Sequence, residues 1–126
     1  MRILVIEDEQ EIADFVVRGL REEGFVVEQA SDGQEGVRKA LAWQPEAAVV
    51  DLGLPLLDGY EVARRLRALG RQPRPLLVAV TGLPSEADGR RSVEAGIDLH
   101  LVKPADPHFL VTLLRRHAEL SRPAGG

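Results

Sequence analysis

An α/β domain built on a doubly wound, five-stranded parallel sheet is what this sequence predicts, and three observations carry the prediction. Five short apolar runs alternate strictly with five segments of helical spacing, a (βα)5 pattern. Three of the runs, Ile3–Ile6, Ala47–Val50 and Leu76–Val80, are apolar without alternation, which is the pattern of strands covered on both faces. The first, third, fourth and fifth runs also stop on residues with chemistry, at Glu7-Asp8, Asp51, Thr81-Gly82 and Lys103-Pro104. Those ends would line the carboxyl rim, where open parallel sheets bind their ligands.

Each element has its own signals. After Ile3–Ile6 a helix is expected from Glu9 to Glu23, with Ile12, Phe15, Val16, Gly19 and Leu20 on one face and Gly24 as its left-handed stop. Phe25–Gln29 is less apolar and suits an edge strand. Ser31-Asp32-Gly33 turns into a helix from Gln34 to Trp43, with Val37, Ala40 and Leu41 inward, and Pro45 ends that stretch. The central strand reaches Asp51, after which Pro55 and Asp58-Gly59 enforce a loop. A third helix, Tyr60 to Leu69, presents Val62, Ala63, Leu66 and Leu69 inward and Arg64, Arg65 and Arg67 outward.

Gly70–Pro75 connects to Leu76–Val80. The next helix, Ser85 to Ala95, is weak: it contains Gly89, and its apolar face is only Ala87, Val93 and Ala95. Ile97–Val102 is the fifth strand. Asp106-Pro107 supplies an N-cap and a first-turn proline for a last helix with Leu110, Leu113, Leu114 and His117 in line. Right-handed crossovers and a polar second strand suggest the order 2-1-3-4-5, which sets Glu7-Asp8 and Asp51 face to face across the switch point. The domain is expected to span residues 1–120, with 121–126 a flexible tail or the start of a linker.

Composition limits the function. The chain has 126 residues, enough for one domain with a real core, and 44% hydrophobic and 29% charged residues, as in ordinary globular proteins. Without cysteine it can hold no disulfide and no thiolate metal site. No apolar run approaches the roughly 20 residues of a membrane span, and the apolar stretch after Met1 is too short for a signal peptide. A cytoplasmic location is therefore expected, with no membrane partner. The net charge of −4 argues against direct nucleic-acid binding, which needs a basic face.

Taken singly, Asp51 could be a loop residue closing its strand, Thr81 a strand-end hydroxyl and Lys103 a surface cation. Gathered at one rim they mean more. Glu7, Asp8 and Asp51 would repel one another, and a divalent cation resolves that repulsion. Oxygen ligands without His or Cys favour Mg²⁺. Lys103 adds a fixed positive charge and Thr81 a hydroxyl, so one carboxylate is surrounded by what in-line phosphoryl transfer onto it would need.

At these positions the chain resembles the receiver domains of two-component response regulators, with a CheY-like, flavodoxin-like fold. The likeness covers about Arg2 to Leu120 and is carried by Glu7-Asp8, Asp51, Pro55, Asp58-Gly59, Thr81-Gly82 and Lys103-Pro104 in the right order. The order 2-1-3-4-5 is also the known one of a chemotaxis member of this family, so it is not an independent finding. The resemblance implies that Asp51 is the phosphoacceptor and nucleophile, and that Asp8, Glu7, Asp51 and the Gly53 carbonyl hold Mg²⁺. Thr81 and Lys103 would bind the phosphoryl group. It implies a signalling switch rather than an enzyme, one that promotes its own Mg-dependent phosphorylation and dephosphorylation. The donor would be a sensor histidine kinase, a phosphotransfer protein or a small phospho-donor. A downstream output protein or domain would read the face formed by the fourth helix, fifth strand and last helix, through which a homodimer could also form.

Two departures from the family pattern matter. His100 stands where the family has the Tyr or Phe that swings inward with the threonine; it acts either as a chargeable switch or as a plain strand histidine. Gly53 and Leu83, two residues after Asp51 and Thr81, cannot position a water with a polar side chain, so slow self-hydrolysis is expected. The Lys-Pro bond is typically cis in the family. The stretch Ile97–Pro107 is closer to receivers of hybrid kinases than to those of DNA-binding regulators, and no output module follows it in this sequence.

Rival readings fit less well. A haloacid-dehalogenase-type phosphatase wants a second acid at Gly53, and a cobalamin module wants a histidine there. A flavin carrier wants a phosphate loop where Glu7-Asp8-Glu9 stand. The remaining alternative is a receiver-like interaction domain that works without phosphorylation.

Overall fold

Residue parity in five parallel strands assigns every apolar side chain to one of two helical layers. The computed structural model describes residues 1–54, 56–82 and 86–120, with side chains described at all of these except 86–88. The elements are β1 (Arg2–Ile6), α1 (Gln10–Glu22), β2 (Val26–Ala30), α2 (Gly33–Trp43), β3 (Ala47–Asp51), α3 (Gly59–Ala68), β4 (Leu76–Thr81), α4 (Glu86–Ala95), β5 (Leu99–Val102) and α5 (Pro107–Leu120). The strands are parallel in the order β2-β1-β3-β4-β5, as the sequence predicted.

Ile3, Val5, Ala47, Val49, Val78 and Val80 face one side, where they pack with Val16, Val17 and Leu20 of α1 and Leu110, Val111 and Leu114 of α5. The intervening Leu4, Ile6, Ala48, Val50, Leu77 and Ala79 face the other side and meet Ala40 of α2, Tyr60, Val62, Ala63 and Leu66 of α3, and Ala95 of α4. Burying each such Val or Leu contributes about 1.5–3 kcal/mol.

Local signals act where expected. Asp32 and Asp58 cap α2 and α3 by accepting the amides of Glu35 and Glu61, at 2.8 and 3.0 Å. Gly24 takes φ +91° after α1, a conformation that favours glycine. The Lys103–Pro104 bond is cis.

Several expectations need correction. Helix α1 is rotated from the predicted face: Ala13, Val16, Val17 and Leu20 are buried, while Ile12 is exposed and Phe15 is 59% exposed. Leu41 also faces solvent, because α2 turns its small residues Gly33, Gly36 and Ala40 inward, Gly33 against Leu57 and Val62 and Gly36 against Ile6 of β1. Among the described side chains of α4, Ser92 packs inward with Ala95, as expected for Ala95, while Val93 is 77% exposed; the side chain of Ala87 lies outside the described ones. Strand β5 starts at Leu99 because Ile97 and Asp98 form the turn out of α4. Arg67 is no solvated surface charge; its side chain is 17% exposed and bound to Asp98. Pro55, Leu83 and the expected tail 121–126 lie outside the described residues.

Candidate functional site

The site grows from the end of β3. Asp51 is the last residue of a strand with neighbours on both sides, and it is 5% exposed. It continues the parity of Ala47 and Val49, so it faces the same side as Glu7, which continues Ile3 and Val5. The chain then leaves the sheet: the amide of Leu52 still donates to the Val80 carbonyl at 3.0 Å, and the loop returns to Gly59, whose amide donates to the Leu52 carbonyl at 3.4 Å. Only glycine fits at that return, since a Cβ on Gly59 would fall 2.5 Å from the Asp51 carbonyl oxygen and 2.7 Å from the Leu52 Cα.

Three carboxylates converge there. Glu7, Asp8 and Asp51 each offer an oxygen, all within 4.8 Å of one another. Glu7 and Asp51 are buried, and Asp8 is exposed to solvent. Asp51 Oδ1 accepts the Gly53 amide at 2.9 Å, and Asp51 Oδ2 lies 3.1 Å from Lys103 Nζ. The same ammonium stands 3.8 Å from Glu7 Oε1.

One lysine does not balance three acids. Burial pushes the Glu7 carboxyl up to about 8, reinforced by its hydrogen bond to Asp51 and by the charge of Asp51, while the Glu9 amide pulls the other way. Lys103 is shifted upward too, which keeps its charge. Burial works against its charge, but the hydrogen bond and charge of Asp51, with the charges of Glu7 and Glu9, hold it above the ordinary lysine value. The cluster is thus short of positive charge, and its donors are all carboxylate oxygens. That donor set fits a hard divalent ion such as Mg²⁺.

Glu7, Asp8, Asp51 and Lys103 therefore meet in one cleft. Gly53 meets them through its amide. Thr81 ends β4, and its carbonyl accepts the Lys103 amide at 2.7 Å. Its parity is that of Leu77 and Ala79, so it stands on the side of α4. His100, opposite Ala79 in register, shares that side; its Nδ1 is 3.3 Å from Ser92 Oγ of α4, and its Nε2 is buried without a partner.

Some of the surroundings escaped the sequence reading. Glu9 donates its amide to Glu7 Oε2 at 3.3 Å and adds negative charge near Lys103. An apolar groove of about 410 Å³ runs from the cleft under α1, lined by Ile12, Phe15, Val16, Val49, Pro104 and Ala105 among others. Leu56 is almost fully exposed in the loop after Asp51, at φ 65°. The misassigned face of α1 hid the groove; no pattern in the sequence marks the conformation at Leu56.

Comparison with known proteins agrees with this geometry. The response regulator receiver domain model matches residues 3–115. The transcriptional regulatory protein PrrA of Mycobacterium leprae is 38% identical over 98% of this chain and 51% of its own length. This chain thus spans about half the length of the curated relatives it matches. A crystal structure of a CheY-like response regulator receiver domain protein from Methanospirillum hungatei is 30% identical, with a TM-score of 0.86 over 94% of this chain and 93% of that one. A response regulator protein from Burkholderia pseudomallei, crystallised with a phosphorylated aspartic acid, calcium ion and citrate, is 29% identical, with a TM-score of 0.80 over 97% of this chain and 75% of that one. PrrA is a transcriptional regulator, whereas Ile97–Pro107 had pointed to hybrid kinases.

Proposed function

This chain belongs to the response regulator receiver family, and from that premise we propose that it takes a phosphoryl group onto Asp51 and passes the change to the face formed by α4, β5 and α5. The observation that carries the reading is the buried Asp51 carboxylate with Lys103 Nζ at 3.1 Å and two further carboxylates beside it. As a receiver domain the chain is a signalling switch. The alternative, an interaction domain indifferent to phosphorylation, gains no support from a cleft that keeps every acid and the lysine.

The transfer balances simply. A carboxylate oxygen of Asp51 attacks the phosphorus of a phosphohistidine or of a small acyl phosphate. A new O–P bond forms as the donor's P–N or P–O bond breaks, and the electron pair leaves with the donor. Lys103 draws toward the phosphoryl oxygens, and the Gly53 amide orients the Asp51 carboxylate. Thr81 supplies a hydroxyl from the α4 side. Glu7, Asp8, Asp51 and the Gly53 carbonyl would hold Mg²⁺, which when bound neutralises charge on the phosphoryl oxygens. Glu7 gives up its proton as the positive charge missing from the cleft is supplied.

The added dianion then recruits Thr81 and biases α4. His100 is the proposed reporter of that step, through the hydroxyl of Ser92. Gly53, with no side chain, favours slow self-hydrolysis. A sensor kinase or phosphotransfer protein is the proposed donor and an output domain or protein the reader, with a homodimer through the same face. Among the described residues no helix is long and apolar enough to cross a membrane, which agrees with the cytoplasmic location we propose.

The test is direct. With Mg²⁺ and acetyl phosphate the intact protein should gain one phosphoryl mass. Asp51→Asn and EDTA should each abolish it. Labelling that survives the substitution overturns Asp51 as acceptor, and labelling indifferent to EDTA overturns the metal.

A further inference from the structure

Among the described residues, helix α4 is held differently at its carboxyl end and at its middle. At its carboxyl end a single arginine from α3 ties three segments together. Arg67 donates from Nε to the Gly96 carbonyl at 2.8 Å, from NH1 to the Pro75 carbonyl at 2.7 Å, and from NH2 to Asp98 Oδ2 at 2.6 Å. Asp98 also accepts from Arg74 at 2.7 Å and from the Leu77 amide at 2.9 Å, and it returns its own amide to the Leu77 carbonyl. The turn out of α4 is therefore fixed to α3 and to the start of β4.

Further toward the amino end, Ser92 meets His100 of β5, and among the described residues the fastening to α3 is one side chain. Arg91 reaches across to α3, with NH2 3.6 Å from Asp58 Oδ2 and its guanidinium carbon 3.9 Å from the centre of the Tyr60 ring. Two residues earlier, Gly89 weakens the helix without any packing reason: a Cβ there would meet nothing within 4 Å.

The partners of Arg91 are not arbitrary surface groups. Asp58 closes the loop that begins at Asp51, and its other oxygen caps α3 at the Glu61 amide. Gly59, beside it, lies against the Asp51 backbone so closely that no Cβ fits. The Asp51 loop is thus joined through Gly59 and Asp58 to Arg91.

We propose that Arg91 is a latch holding the amino-terminal half of α4 to the Asp51 loop, and that the Arg67–Asp98 clamp is the pivot about which that half swings when the latch opens. Arg91 acts as a positioning residue that favours the unphosphorylated arrangement, giving the cleft a second line to α4 beside Thr81. For its signal the inference rests on the phosphorylation reading; for its contacts it does not.

Two measurements separate those parts. In hydrogen exchange on the unphosphorylated protein, Arg91→Ala should speed exchange of the amides from Arg90 to Val93 by roughly two- to fivefold, the worth of an exposed ion pair with a cation–π contact. The amides of Gly96, Ile97 and Asp98 should be unchanged, and Arg91→Lys should restore most of the protection. In labelling with acetyl phosphate, Arg91→Ala should raise the initial rate by a similar factor. Asp58→Asn, which keeps the cap, should do the same, and the double variant should go no further.

A gain in labelling rate is what a mere brace would not give. Unchanged exchange from Arg90 to Val93, exchange rising equally at Gly96–Asp98, or a labelling rate that is unchanged or lower would each overturn the latch. A wild-type protein that takes no label overturns the phosphorylation reading, and the exchange data still decide the latch.

Discussion

Two part-buried clusters of charge stand at opposite rims of the same sheet, and they are built differently. At the amino rim, Asp98 has two arginines and a backbone amide, and the Arg67 guanidinium also donates to two carbonyls. At the carboxyl rim, Glu7, Asp8 and Asp51 stand together and one lysine meets two of them, Glu7 and Asp51. In the first set both oxygens of the acid are matched by donors. The second is short of positive charge and short of a ligand, and that imbalance is what marks it as the place where chemistry happens. The titrations carry the same mark. Asp98 is costly to bury, yet the Leu77 amide and the two arginines hold its carboxyl below the usual range. Burial and Asp51 drive Glu7 above it.

The sharpest way to break this comparison is to remove the cation from each rim. Lys103→Met should lower acetyl phosphate labelling by about 100-fold, the scale of losing a charge stabiliser in the transition state, with little change in melting temperature. Arg67→Met should do the reverse. It keeps the apolar stem but strands two part-buried carbonyls and weakens Asp98, which should cost about 1–2 kcal/mol in urea unfolding. Labelling of the folded protein should stay within about threefold, the scale expected when no group that touches the phosphoryl oxygens is lost. If Lys103→Met were the unstable variant and Arg67→Met the inactive one, the roles of the rims would be exchanged.

Acid and alkali distinguish the rims next. Glu7 has a folded value raised from 4.5 to about 8, so the folded protein binds more protons than the unfolded chain between those limits. Its contribution to stability is fully present below about pH 4.5 and is lost as pH rises toward 8. In EDTA the melting temperature should therefore fall from pH 5 to pH 8, and Glu7→Gln should flatten that slope. Millimolar Mg²⁺ should do the same by stabilising the ionised cluster. Asp98 has the opposite sign: its contribution is present above its ordinary value of 3.8 and is lost as pH falls through the lower folded value. Asp98→Asn should flatten only the acid limb.

The comparison also explains what could be read in the sequence. Strand order and rim residues were legible because Ala47–Asp51 and its neighbours are apolar without alternation and stop on chemistry. The clamp was not legible: Arg67 sits at helical spacing with Arg64 and looks identical to it, and only the turn at Gly96–Asp98 turns one inward. The face of α1 failed for a related reason. Apolar spacing cannot tell Phe15, exposed beside the groove, from Val17, buried in the core. His100 was correctly placed on its strand, but its tie to Ser92 depends on a polar residue lying inward in α4, against the usual pattern.

The smallest expected effect lies in the helix whose carboxyl end the Arg67 clamp holds. Gly89 is exposed, at an ordinary helical φ, with open space where a Cβ would go. Gly89→Ala should therefore stabilise the protein by about 0.5–1 kcal/mol, since alanine has the better helix propensity and nothing has to move. If the weakness of α4 exists for packing or folding alone, that gain should leave labelling untouched. If α4 is loose so that the imbalanced rim can move it about the matched one, the same substitution should slow acetyl phosphate labelling by roughly twofold while raising the melting temperature. The two measurements then move in opposite directions, which no general improvement in stability would produce.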